Sequence, residues 1–292
     1  MIYQIIALII WGSAFISAKY AQMMLDPILL VQFRLTIAAI IVAPMALRHV
    51  HRIKRPSWKP LIAMAFLNYV AVLFLQFKGL QYTSASSAVT ILGLEPLIVV
   101  FLGHFFFKDK AKSYHWFCGL LAFIGVITLI AGGHGAEIGG EISLLGCFLV
   151  FLGSITFACI LRPTQALLKN ISASSYSLLS LLFAPFLALP FTAIFTQTWE
   201  IHWNTQGVLG LLYLGICCNW LAYWLWNKGM DSVPANLSGL LAALEPIFGV
   251  AMAVLLLHEQ ITWISWIGIG IVTFSTVLAT ILPRFEKKAA VN

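Results

Sequence analysis

Charge is scarce in this sequence. Aspartate, glutamate, lysine and arginine make up 9% of its 292 residues, against roughly 25% in an ordinary soluble domain, while 61% are hydrophobic. No soluble fold of this size has an interior able to hide so much apolar surface. Paired cysteines are missing as well: Cys118, Cys147, Cys159, Cys217 and Cys218 all fall in apolar segments without CxxC or metal-ligand spacing. They read as small buried hydrophobes. The seven histidines lack ligand spacing too, so no metal site is expected; His104, on an apolar helix, reads as a packed residue. P-loop, GxSxG, HExxH and Asp-rich metal signatures are absent, which leaves no candidate catalytic residue and no expected cofactor. No nucleotide-binding module is present either. The first residues, Met1, Ile2, Tyr3 and Gln4, lack a basic region before the apolar run, so the first helix is expected to be retained.

What is present is hydrophobic length. A mean hydropathy of +0.96 implies a chain solvated mainly by lipid, where each crossing needs about 20 apolar residues and a helix satisfies the backbone internally. Apolar runs predict ten spans near residues 3–24, 28–47, 60–78, 86–107, 115–132, 143–161, 174–196, 207–227, 236–257 and 262–282. The class is thus an all-α membrane protein with short loops and no separate soluble domain. The net charge of +7 and pI near 9.2 reflect topology, with no nucleic-acid partner expected, because the basic residues sit in those loops. With both termini inside, the inner connections and tail hold fourteen of the seventeen Lys and Arg residues. The outer connections 133–142, 197–206 and 258–261 hold none, but contain Glu137, Glu141, Glu200 and Glu259. Lysine and arginine in short loops resist translocation, so the N-terminus and C-terminus are placed in the cytoplasm.

A shift of 150 residues superimposes the chain on itself. Lys78-Gly79 falls on Lys228-Gly229, Ala85 on Ala235, Leu94-Glu95-Pro96 on Leu244-Glu245-Pro246, Val100 on Val250, Asp109 on Glu259 and Trp116 on Trp266. Each unit holds five helices, an odd number, so the second enters from the opposite side. The expected organisation is two inverted five-helix repeats, 1–132 and 143–282, followed by a short basic tail, 283–292, an arrangement used by secondary transporters.

Ionisable residues at membrane depth are costly and mark candidate sites. Glu95 and Glu245 each lie about nine residues into a span, near the bilayer midplane at 1.5 Å per residue. The proline after each frees the carbonyls of Leu92 and Ala242 in a kinked segment. Two readings stand: substrate or proton sites at the repeat interface, or carboxyls that brace kinked helices. Arg34 in span 2 could pair structurally or meet a substrate carboxylate; Lys19 is expected to snorkel to the outer interface. In span 8, Asn219, Tyr223 and Trp226 share a face, as do Tyr69 and Gln76 in the repeat-related span 3, with Asn68 beside them. These groups suit a central cavity wall, at Tyr69 and Asn219 above all; interfacial belts and helix packing are the other reading. Span 1 adds Trp11, then Ser13, Ser17 and Tyr20 at helical spacing.

The order of these features resembles the EamA-like branch of the drug/metabolite transporter superfamily. The resemblance rests on Trp11-Gly12-Ser13-Ala14-Phe15, Pro27 followed by Arg34, the Gly79-Leu80 and Gly229-Met230 helix ends, both Glu-Pro runs, and acidic Asp109 and Glu259. It covers essentially the whole chain, as two EamA-type units. Here Lys108 and Lys110 flank Asp109, and Thr156-Phe157-Ala158 stands where a tryptophan is often found. The resemblance implies a bacterial inner-membrane carrier, usually an exporter, that moves amino acids or other small metabolites by alternating access. On that basis the substrate or coupling site is expected at Glu95, Glu245, Arg34, Trp11, Tyr69, Gln76, Asn219 and Tyr223. The partners expected are a small-molecule substrate, the lipid bilayer and protons. An organic-cation efflux carrier of the same fold is one alternative; an intramembrane lipid-modifying enzyme is another, which the lack of clustered His, Asp or Cys disfavours.

Overall fold

The computed structural model of the protein describes residues 1–51, 53–107, 111–132, 142–230 and 244–289, and every regular element among them is helical. Lys108, Asp109, Lys110, Glu137, Glu141, Ala235 and the first half of span 9 lie outside the described residues. Span 1 consists of α1 (Ile2–Gly12) and α2 (Ala14–Gln22), interrupted at Ser13, whose hydroxyl donates to the Ile10 carbonyl at 2.8 Å. Asp26 caps α3 (Pro27–Val50) by accepting from the Ile28 N–H, with Pro27 in the first turn, where its missing N–H costs nothing. Span 3 is α4 (Arg55–Ala65), a π-helical segment over Phe66–Ala71, and α5 (Val72–Leu80). It begins five residues before the expected 60, because a first turn containing Pro56, Ser57 and Lys59 is helical without being apolar.

Span 4 is split. Ser84 caps α6 (Ala85–Leu92), and after Gly93 and Leu94 a new helix, α7 (Glu95–Phe107), begins on Glu95 itself. The expected kink is therefore a full break. There follow α8 (Ser113–Gly132), α9 (Leu144–Leu168) and α10 (Ala173–Phe195), the last two capped by Ser143 and Ser172. Span 8 repeats the design of span 3, with α11 (Thr205–Tyr213), a π-helical segment over Leu214–Leu221 and α12 (Ala222–Met230). The second half of span 9 is α13 (Glu245–Leu257), which also begins on its glutamate. Finally α14 (Trp263–Ala289) continues through Pro283, so the tail prolongs the helix as far as Ala289.

Eight of these stretches are long and apolar enough to cross a bilayer: Ile2–Gln22, Pro27–Val50, Arg55–Leu80, Ala85–Phe106, Ser113–Gly132, Leu144–Leu168, Ala173–Phe195 and Thr205–Trp226. Two more apolar helices, Glu245–Leu257 and Trp263–Ala279, are shorter. The outward faces of α8 and α9 carry Phe123, Ile127, Leu144 and Phe148, all strongly exposed, as a surface solvated by hydrocarbon requires. Cys159 is exposed on that surface too, against the expectation of burial; Cys118, Cys147 and Cys218 are buried. Capping by Asp26, Ser84, Ser143, Ser172 and Asn204 satisfies helix-start N–H groups that lipid cannot.

Packing pairs the two halves of the chain. The helix α3 lies on α10 and α8 on α14, while α5 packs on α9 and α12 on α1. Without a hydrophobic difference between lipid and side chain, small residues let these backbones approach. A Cβ at Gly79 would stand 2.8 Å from the Gly146 carbonyl oxygen, and one at Gly229 2.5 Å from Cγ of Gln4. The tightest backbone approach is at Gly268, where a Cβ would lie 2.4 Å from the Leu129 nitrogen. Gly268→Ala must push α14 off α8. It is expected to destabilise by about 1–3 kcal/mol, read as a lowered unfolding temperature in detergent.

Candidate functional site

The two helix breaks meet. A Cβ at Gly93 would fall 2.8 Å from Cγ of Pro246, so glycine is what allows the first break to rest on the second. Thr276 on α14 donates from Oγ1 to the Gly93 carbonyl at 2.9 Å, satisfying an acceptor that the break leaves without a helical partner. Glu95 and Glu245, each the first residue of its half-helix, face a cavity of about 220 Å³ walled also by Leu92, Phe157, Leu161 and Pro96. Each carboxyl sits at a helix N-terminus, the end that favours negative charge. Glu95 and Glu245 lie within electrostatic range of each other, and the Ser154 hydroxyl on α9 is turned toward Glu95 without reaching hydrogen-bond geometry.

A second group is positively charged. Arg34, 4% exposed and a third of the way along α3, donates from Nη2 to Oδ1 of Asn219 at 2.5 Å, and its guanidinium lies 4.7 Å from the Phe77 ring centroid. Asn219, 5% exposed, is carried on the π-helical turn of span 8, and Tyr69 occupies the matching turn of span 3, 150 residues earlier. Such turns are uncommon inside α-helices and recur at functional sites. Tyr69 and Tyr223 both lie within electrostatic range of Arg34 and of Tyr176 on α10. Tyr223 is also in range of Glu245 and Glu95, and Cys218 is in range of Arg34 and Glu245, so these two side chains link the groups.

Trp11, at the end of α1, donates from Nε1 to the Cys218 carbonyl at 3.1 Å and packs edge-on to Tyr223 with ring centroids 4.9 Å apart. Trp226 completes the aromatic wall at 5.5 Å from Trp11. Seven of the eight residues expected at the site therefore converge: Trp11, Arg34, Tyr69, Glu95, Asn219, Tyr223 and Glu245. The eighth, Gln76, is buried on α5, beyond the π turn that carries Tyr69, with its stem against Gly153 of α9.

Sequence reasoning passed over Tyr176, the only tyrosine in α10 and its one available signal. It also passed over Ser154 and over Tyr213, whose hydroxyl is 2.7 Å from that of Ser13. Lys19 overturns its expectation. It is 5% exposed and donates from Nζ to the Leu80 carbonyl at the end of α5 at 2.6 Å, with the Glu259 carboxylate in electrostatic range, so protein groups and not water hold it.

Buried donors remain at this site. Among the described residues, Arg34 Nε and Asn219 Nδ2 have no hydrogen-bond partner. A buried charged donor left in that condition is expensive, and native sites resolve it with a ligand or water.

Known proteins place this architecture. The model of the EamA-like transporter family matches residues 1–131 and again 144–281. An uncharacterized transporter of Haemophilus influenzae (strain ATCC 51907 / DSM 11121 / KW20 / Rd) is 47% identical over 169 residues, 58% of this chain and 99% of that protein. The uncharacterized transporter YwfM of Bacillus subtilis (strain 168) is 25% identical over 297 residues, covering 99% and 96% of the two chains. One solved crystal structure shares the fold with a TM-score of 0.63 at 17% identity, over 97% of this chain and 96% of its own. Multiple apolar helices in this arrangement, matched along nearly their whole length, make the chain a multi-pass membrane protein that belongs to the EamA-like transporter family.

Proposed function

We propose that the protein is a secondary exporter of small zwitterionic metabolites, with amino acids the foremost class, working by alternating access in a bacterial inner membrane. The observation that carries this reading is the pairing of unsatisfied donors at Arg34 and Asn219 with two carboxyls across Tyr223. A substrate carboxylate would take the hydrogen bonds that Arg34 Nε and Asn219 Nδ2 still have to give. Its ammonium would lie toward Glu95 and Glu245, and its side chain would meet Trp11, Tyr69 and Tyr223. Opposite charges at the two ends fix orientation, as recognition by charge-assisted hydrogen bonds requires.

The scaffold is proposed to be ten transmembrane helices in two inverted five-helix repeats with both termini cytoplasmic. Matching π turns in spans 3 and 8, matching breaks before Glu95 and Glu245, and the exchange by which α5 packs on α9 and α12 on α1 support it. Repeats that exchange packing in this way can rock about a fixed midplane site. Proton coupling is proposed at the glutamate pair. A carrier of organic cations is the second reading, favoured by the Trp11, Tyr223 and Trp226 wall beside two carboxyls, since aromatic faces hold cations.

Counterflow in liposomes tests both. Loaded unlabelled amino acids are expected to accelerate uptake of labelled ones, while their amides, which lack the carboxylate, exchange poorly. Exchange of the amides with none of the parent amino acids would replace the zwitterion reading by the cation one. A lack of exchange or efflux across a broad metabolite panel would overturn the transporter assignment for these substrates altogether.

A further inference from the structure

Glu259 takes no part in the central site, yet it is 4% exposed and fully engaged. His258, in the left-handed region at φ 52°, ends α13 and turns the chain so that Glu259 points back across the bundle. Its Oε1 accepts from the Ala85 N–H at 2.8 Å and its Oε2 from the Ser86 N–H at 3.2 Å. Together with Ser84, whose Oγ accepts from the Ser87 N–H at 3.2 Å, it satisfies the first three donors of α6. A carboxylate from the second half of the chain thus caps a helix of the first half, at the end where the helix dipole favours it.

Lys19 on α2 sits in the electrostatic range of this carboxylate while donating to Leu80 at the end of α5. Next to it, Tyr20 donates from its hydroxyl to the Leu256 carbonyl at the end of α13, at 2.6 Å. Below these polar ties α1, α6 and α13 close on one another. A Cβ at Gly12 would be 3.0 Å from the Gly249 nitrogen, and one at Gly249 would be 2.4 Å from Cγ1 of Val89. The ties lie where α2 ends and α6 begins; Val89 of the seam also walls the cavity of the two glutamates, which extends past Leu92 to Leu161 and Thr276, so the seam separates the ties from that cavity.

We propose that Glu259 and Lys19 form the latch of the outer gate, holding the ends of α2, α6 and α13 together while the site faces the cytoplasm. The acidic residue that follows α13, singled out by its repeat position and by the family resemblance, thereby has a task separate from substrate binding. The latch must let go for the site to open outward, which exposes a carboxylate and a lysine to water, where both are well solvated. The closed state keeps the carboxylate on backbone donors and so carries no unpaired charge. This inference rests on alternating access and on cytoplasmic termini, but its test needs no substrate.

The experiment places Val89→Cys, which is 2% exposed and lies in the seam, in a background whose five native cysteines are replaced by alanine. Labelling by a membrane-impermeant maleimide added from outside is timed in intact cells. Glu259→Gln keeps the shape but removes the charge that holds two N–H groups, and is expected to raise the labelling rate about tenfold. Lys19→Met, which leaves the cap intact, is expected to raise it by a smaller factor and serves alone should Glu259→Gln fail to fold. Unchanged labelling in the folded variants would overturn the latch, even with transport intact. Faster labelling in a protein that exchanges no metabolite would uphold the latch and count against the proposed substrate class.

Discussion

Arg34→Gln is expected to lower amino-acid counterflow about 100-fold, the scale of losing one partner of a buried, hydrogen-bonded charge pair. Glutamine can still bond Asn219 but brings no positive charge, so the substrate carboxylate would enter a site lined by phenols and two carboxyls with nothing to neutralise it. Arg34→Lys keeps the charge and loses the fork of parallel donors. Its expected loss is smaller, about tenfold, because a lysine cannot serve Asn219 and a carboxylate from one planar group. The effect should depend on substrate chemistry. Amino-acid amides, which carry no carboxylate, should gain ground on the parent amino acids in Arg34→Gln, since the repulsive element against a cation has gone. Equal losses for both substrates, accompanied by a lower unfolding temperature, would show that Arg34 braces α3 against Asn219 and Phe77 and does not read the substrate.

The elements of this fold were legible where a single physical demand dominates. Lipid requires long apolar helices, so the runs over 28–47 and 174–196 coincide with α3 and α10 to within a few residues. The site was legible for a related reason. Placing Glu95, Glu245 or Arg34 in hydrocarbon is costly enough to single each out, and the 150-residue shift paired the two glutamates that face one cavity. What escaped were consequences of local hydrogen bonding that composition does not encode. The π turns over 66–71 and 214–221 contain neither proline nor a glycine pair to announce them. Lys19 was misjudged because snorkelling was weighed against empty lipid. Its real alternatives, the Leu80 carbonyl and Glu259, come from segments 61 and 240 residues away in sequence.

The Glu95→Gln, Glu245→Gln double variant is expected to abolish acceleration of efflux by an outward-acid gradient while leaving folding intact. The two carboxyls face one small cavity, and a proton or a substrate ammonium can neutralise the pair there. Charge left unpaired at that depth is costly, so one ligand departs as the other arrives, and proton entry becomes linked to substrate exit. Glutamine has the same shape and cannot exchange a proton. The single variants are expected to separate the roles: Glu245, in range of Tyr223 and Cys218, lies nearer the aromatic wall, whereas Glu95 is turned to Ser154. Glu245→Gln should therefore weaken substrate affinity more, and Glu95→Gln should weaken the response to pH more. Efflux from proteoliposomes with and without a one-unit outward-acid gradient measures both. A double variant that responds to the gradient as the parent does would leave the carboxyls as helix caps at the breaks and move coupling elsewhere in the bundle.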